Sequence, residues 1–211
     1  MKAVFAILLI LVVSTLTAQD KYTETMLKNI EATYKAQTVA DFQAVANTFE
    51  RIAAAEKTKW EPFYYAGYNY LMMATIETDG PKKDSYLDLA TKNIDQAKAI
   101  KANDSEITAL EGFVHMIRVT VDPQTRGQEY SGKAFRSFST AVALNGENPR
   151  ALMLMGQMQY GTAQFFGTPT TDACATIEKS LQKFETFKAD SAIAPQWGKP
   201  LAEKLKGNCK L

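Results

Sequence analysis

The feature that most constrains the fold is a recurrence of small and large apolar residues at intervals of 44–45 residues. The matched positions, each 44 residues apart, are Ala90 with Ala134, Ile94 with Phe138, Ala97 with Ala141, Ile100 with Leu144, and Gly112 with Gly156. Recurrence at a period of roughly 20–50 residues is typical of stacked structural repeats. Small residues at fixed turns let neighbouring helices approach closely, and the large residue between them fills the remaining space. Valine and isoleucine do not alternate with polar residues after residue 20, so we expect no sheet.

The spacing within the recurring stretches resembles the tetratricopeptide repeat over roughly residues 41–187. The residues that fit its first helix are Phe63, Ala66, Gly67 and Tyr70, and those that fit its second helix are Ala134, Phe138 and Ala141. The resemblance implies an all-α fold, a right-handed solenoid of antiparallel helical hairpins with about eight or nine helices. The family repeat has about 34 residues, so a HEAT-like solenoid of about 40–47 residues is the nearest alternative.

Helix-start signals divide the chain at regular places. Asp104 is a candidate N-cap, and Asp122 and Asn148 each precede a proline that would occupy the first helical position. The last hairpin of such a stack needs a cap over its outer face. We expect the C-terminal segment to supply it, with Trp197 and Leu205 among its apolar residues.

The first 18 residues are typical of a secretory signal peptide, with one lysine, an apolar run over residues 3–13 and a small residue, Ala18, before the expected cleavage. An uncleaved anchor is the alternative, but a membrane-spanning helix needs about 20 apolar residues. The sequence therefore predicts one helical domain over residues 19–211 of a periplasmic or secreted protein, with no membrane span after cleavage. In an exported chain, the two cysteines, Cys174 and Cys209, are expected to form a disulfide.

Charge and motif content argue against several functions. The chain has 24 basic and 23 acidic residues and no basic run, so nucleic acid is not an expected partner. No phosphate-binding loop or nucleophile motif occurs. The single histidine, His115, follows Glu111 by one helical turn, but one histidine cannot build a typical zinc site. We therefore predict a non-catalytic protein without a cofactor or a metal site; the alternative is a carbohydrate-binding protein or a minor hydrolase that uses Glu111 and His115.

Inward-facing positions of the first helices suggest a partner-binding site. In a tetratricopeptide-like stack, these positions hold apolar and aromatic residues that we call the inner row: Tyr64, Tyr68, Phe113, Met116, Met153, Gln157 and Tyr160. Tyrosine and methionine surfaces bind partners adaptably. The predicted function is an exported interaction or scaffold module that binds a peptide or a partner helix, and hence another protein, on its concave face. Packing of the same residues against opposing helices is the alternative that the sequence leaves open.

Overall fold

The computed structural model describes residues 21–209, and within that range the chain is entirely helical apart from its connections. The predicted signal peptide and the start of the predicted domain lie outside the described residues. Helix α1 covers residues 21–35 of the described part. The helices that follow are α2 (Val39–Ala55), α3 (Glu61–Ile76), α4 (Gly80–Ile100), α5 (Ser105–Val119), α6 (Pro123–Leu144), α7 (Pro149–Phe166), α8 (Thr171–Thr186) and α9 (Lys199–Asn208). The all-α prediction is therefore confirmed for residues 21–209.

Local capping fixes where the helices begin. Asp104, Asp122 and Asn148 each accept hydrogen bonds from backbone N–H groups of the first turn that follows them, as predicted. Thr38 forms a capping box with Asp41 at the start of α2, in which each side chain accepts from the other residue's backbone N–H. These bonds satisfy donors that a helix start leaves without intrahelical partners.

Helices pair in order along the chain, α3 with α4, α5 with α6 and α7 with α8, and one glycine lies at each close approach. A Cβ atom at Gly112 would lie 2.5 Å from Phe138 Cε1, and one at Gly156 would lie 2.7 Å from Ile177 Cγ1. The predicted role of these small residues is confirmed. The sequence pattern did not predict the packing of Gly156 on Ile177 between α7 and α8, because Ile177 follows Phe138 by 39 residues instead of 44. The arrangement of the pairs as a right-handed solenoid stays a prediction.

The C-terminal part of the chain folds back against the helices. The predicted Cys174–Cys209 disulfide is present, with Cα atoms 5.7 Å apart, and it joins the first turn of α8 to the end of α9. Residues 187–198, between α8 and α9, form no helix, and we call them the strap. Leu205 of α9 is buried as the capping prediction requires. Trp197 differs from that prediction, because it packs on α3 and α5 rather than over the last hairpin.

Within residues 21–209, no helix combines the length and the apolar character that a bilayer crossing requires.

Candidate functional site

The inner row is assembled as a contiguous set on α3, α5 and α7, but it does not face open solvent. Tyr64, Tyr68, Phe113, Met116 and Met153 are all buried. Of the two alternatives that the sequence left open, the row is not an open groove in this structure, because Trp197 and Gly198 of the chain's own C-terminal segment lie against it. Binding of a partner by these residues stays a prediction.

Trp197 of the strap makes the central contact with the row. Its ring lies 5.0 Å from that of Tyr68 and 6.2 Å from that of Phe113, measured between centroids. Its indole Nε1 donates a hydrogen bond of 3.0 Å to the Tyr64 hydroxyl. Only 8% of Trp197 is exposed. The row therefore buries its apolar surface and also accepts the hydrogen bond of its indole N–H.

Side chains of the helices also bind the backbone of the strap. The Tyr65 hydroxyl donates to the Ile193 carbonyl at 3.2 Å, and Arg150 Nη1 donates to the Trp197 carbonyl at 3.3 Å. The backbone N–H of Gln196 donates to the Tyr34 hydroxyl at 3.4 Å. Burial raises the pKa of Tyr65 far above its ordinary value, so its hydroxyl keeps the proton that this contact uses.

The remaining row residues lie near the end of the C-terminal segment. The Tyr160 hydroxyl donates to the Asn208 carbonyl at the end of α9, 3.2 Å away. Met153 packs against Gly198, where a Cβ atom would lie 3.5 Å from the methionine methyl group. Gln157 Oε1 is buried without a hydrogen-bond partner among the described residues. The row, the strap and α9 thus form one packed unit.

Arg150, which the sequence analysis did not identify, links this unit to a neighbouring cleft. It is fully buried, and its Nε and Nη2 atoms each donate a 2.7 Å hydrogen bond to the Glu106 carboxylate. Its guanidinium also lies 4.3 Å from the centroid of the Phe187 ring. Burial raises the pKa of Glu106, and the hydrogen bonds from Arg150 act against that rise. Glu106 and Arg150 are 44 residues apart, so the repeat interval itself would have indicated that they are neighbours.

A cleft of about 580 Å³ opens beside this ion pair, where the first turns of α3, α5 and α7 meet the strap. Its volume is within the range of about 300–1,000 Å³ typical of small-ligand sites. Its aromatic and aliphatic lining residues include Trp60, Leu144, Phe187, Ala194 and Pro195. Its charged lining residues are Glu61, Lys101, Asp104, Glu106, Glu147, Arg150, Lys183, Lys188 and Asp190.

The lysines that line the cleft differ in whether a carboxylate already binds them. Lys101 Nζ lies 4.7 Å above the Trp60 ring and 2.8 Å from Asp104. Lys183 pairs with Glu147 at 2.6 Å. Lys188 lines the cleft from the strap and is exposed. The cleft therefore combines apolar walls with four cations and five carboxylates, and three of the cations are already paired with carboxylates of the cleft.

Glu111 and His115, the pair behind the alternative hydrolase hypothesis, are not combined into a site. Glu111 accepts a hydrogen bond from Lys98 at 2.7 Å, and the His115 ring lies 6.1 Å from that of Tyr130. His115 Nδ1 is buried without a partner among the described residues, and burial lowers the pKa of the imidazole. Neither residue lines the cleft.

No cluster of three or more His, Cys, Asp or Glu side chains arranged to hold a metal ion occurs within residues 21–209.

Comparison with known proteins relates the chain to a solved binding protein. It is similar to the HusA haemophore from Porphyromonas gingivalis, with a TM-score of 0.81 and 29% sequence identity. The similarity covers 90% of this chain and 92% of that one. No protein-family model matches the chain, and a search of curated proteins found no match.

Proposed function

We propose that this chain is an exported, non-catalytic binding protein that captures haem or a related porphyrin in the cleft beside Arg150. The observation that carries the proposal is the similarity to a haemophore over 90% of the chain. At 29% identity this likeness includes sequence as well as fold.

The chemistry of the cleft supports a planar, acidic ligand. Trp60 and Phe187 are half-buried, and since Lys101 and Arg150 each cover one face of these rings, a macrocycle would stack on the other face. Lys101, Lys183 and Lys188 are placed to bind its carboxylate groups. The ligand would then compete with Asp104 and Glu147 for two of these lysines, so its affinity should fall as salt rises.

The cleft predicts recognition of the ring rather than of the iron. Its described lining residues include no histidine, methionine, cysteine or tyrosine, which are the usual axial ligands of haem iron. His115 lies on α5 nine residues beyond Glu106, about 14 Å along the helix at 1.5 Å per residue. Haem and iron-free protoporphyrin IX should therefore bind with similar affinity.

Absorbance titration of the disulfide-closed mature protein with hemin and with protoporphyrin IX tests the proposal. The double substitution Lys101→Ala/Lys188→Ala removes two exposed charge contacts to the porphyrin, each of about 0.2–1 kcal/mol. It should therefore weaken porphyrin binding about 2- to 30-fold. The matched control is Lys28→Ala/Lys204→Ala, which removes two exposed lysines that do not line the cleft. Absence of binding to either porphyrin at micromolar concentration would refute the function. A preference for hemin of more than a hundredfold would refute the cleft as its site.

A second candidate function is the interaction module predicted from the sequence, with a peptide or partner helix on the inner row of a right-handed, tetratricopeptide-like stack. The observation that favours it is that a non-helical segment, the strap, already lies on the row through Trp197, while Tyr65 and Arg150 beside the row bind its backbone.

A further inference from the structure

The strap is bound in the way that a peptide ligand is bound by a receptor. Burial alternates along it: Ile193, Pro195 and Trp197 are buried, whereas Ala192 and Gln196 are exposed. Residues 191–194 form a turn; after it, Pro195 lines the cleft and the Trp197 ring lies against Tyr68 and Phe113 of the row. Main-chain hydrogen bonds with pockets for alternate side chains are the recognition pattern of extended peptides.

The groups that bind the strap belong to helices far away in sequence. Tyr65 and Tyr64 are 128 and 133 residues from their strap partners. Within the strap, a turn bond joins the Ala194 N–H to the Ser191 carbonyl at 3.1 Å. The row, together with Tyr65 beside it, therefore offers hydrogen-bonding and aromatic groups that exist independently of the covalent connection to the strap.

The disulfide holds the strap in place from both ends. The strap starts at the end of α8, and α9, which follows it, is joined through Cys209 to Cys174 in the first turn of α8. While the bridge is closed, the strap cannot leave the row without moving α9 or bulging outward. Both cysteines are partly exposed, so a small dithiol can reach the bridge.

Opening the bridge would leave α9 weakly attached. α9 has 10 residues, fewer than the roughly 12–15 that an isolated helix needs to be even marginally stable in water. Its remaining ties are the burial of Ala202 and Leu205, the partly buried Leu201, ion pairs of Lys199 with Glu185 and of Lys206 with Glu178, and the Tyr160 bond. The strap and α9 can then separate from the row together.

We propose that the inner row is a peptide-binding groove that the strap occupies while the Cys174–Cys209 bridge is closed, and that reduction of the bridge lets an extended peptide of a partner protein replace the strap. This inference rests on the second candidate function; because Phe187 and Lys188 of the strap line the cleft, porphyrin binding is tested on the disulfide-closed protein and should weaken when the strap leaves the row. The partner peptide carries apolar side chains at three alternate positions, of which the last is a tryptophan, and free carbonyls at the first and last of them. The redox step is thiol–disulfide exchange with a dithiol: two electrons pass to the bridge, two cysteine thiols form, and the dithiol becomes a disulfide.

The test uses a fluorescein-labelled peptide of residues 187–198 as the probe and the full mature chain as the receptor. Anisotropy is measured with the closed protein, with the protein reduced by a dithiol, and with Cys174→Ser/Cys209→Ser. The two opened forms should bind the probe at least tenfold more tightly than the closed form. A control peptide with alanine in place of Trp197 should bind the opened forms at least tenfold more weakly than the probe.

Hydrogen exchange on the same samples tests whether the strap leaves the row when the bridge opens. In the opened forms, the amides of residues 193–198 should exchange faster, while those of α3 to α6 stay protected. Equal probe affinity for open and closed forms, no binding to either, or unchanged protection of the strap would each overturn the proposal. So would dimerisation of the opened chain without probe binding, since the occupant would then be a second copy. A porphyrin titration that fails while the probe binds would refute only the haem function.

Discussion

Replacing Arg150 by methionine should be the most destabilising charge-removing substitution in the chain. The guanidinium is fully buried and makes two 2.7 Å bonds to Glu106 and one to the Trp197 carbonyl. Its removal leaves a carboxylate that is only 16% exposed without its partner, and breaking such a pair costs about 3–5 kcal/mol. At about 2–4 °C per kcal/mol for a domain of this size, the melting temperature should fall by about 6–20 °C.

Urea unfolding followed by circular dichroism, with the disulfide closed, measures this change. A double-mutant cycle with Glu106→Gln should show that the two substitutions together cost at least about 1 kcal/mol less than their sum, since the double variant has no buried unpaired charge. The matched control is Lys183→Met, whose partner Glu147 is 71% exposed and whose loss should cost less than about 1 kcal/mol. Arg150→Lys should not restore stability, because lysine cannot form both bonds to one carboxylate.

Acidification gives an independent check on the same ion pair. Without Arg150, burial and the nearby Asp104 carboxylate act on Glu106 against Lys101 only, and they raise its folded-state pKa further above the unfolded value. A group whose pKa is raised on folding favours the folded state below the unfolded pKa and loses that contribution as pH rises. The difference in stability between Arg150→Met and the parent should therefore be smaller at pH 5 than at pH 8. If the free energies of unfolding of Arg150→Met and the parent differ by less than about 1 kcal/mol at pH 8, the reasoning about the buried ion pair is refuted.

Three further predictions concern stability. Gly112→Ala should cost about 1–3 kcal/mol in urea unfolding because its Cβ would lie 2.5 Å from Phe138, whereas Gly161→Ala, with no atom within 4 Å, should stabilise by about 0.4–1 kcal/mol. Equal effects would contradict the close-approach argument. Thr38→Ala should cost about 0.5–2 kcal/mol by removing the capping box of α2, while Thr176→Ala, outside any cap, should cost less. Burial lowers the folded-state pKa of His115, so its contribution to stability is present above the unfolded pKa of about 6.5 and is lost as pH falls. His115→Gln should reduce the change in the free energy of unfolding between pH 7.5 and 5. An unchanged pH dependence would show that other groups cause it.

The sequence alone determined the features that depend on local signals or on one repeated interval. Asp104, Asp122 and Asn148 act on backbone groups within a few residues, so the helix starts could be located without tertiary information. The recurrence of Ala134, Phe138 and their counterparts indicated paired helices because close approach requires small residues at fixed turns. The disulfide followed from two cysteines in a chain with a signal-peptide pattern.

What lies against the inner row could not be predicted from the sequence. Tyr64 and Trp197 are 133 residues apart, and no local pattern states that an irregular segment after the last hairpin returns to the first repeats. The same limit applies to the cleft, which is formed by three helix starts and the strap together. The burial of Arg150 could not be predicted either. An arginine in the first turn of a helix is normally exposed, but here a carboxylate from the preceding repeat and the strap enclose it. Contacts of this kind depend on the relative positions of distant elements, and those positions are set by packing of the whole chain.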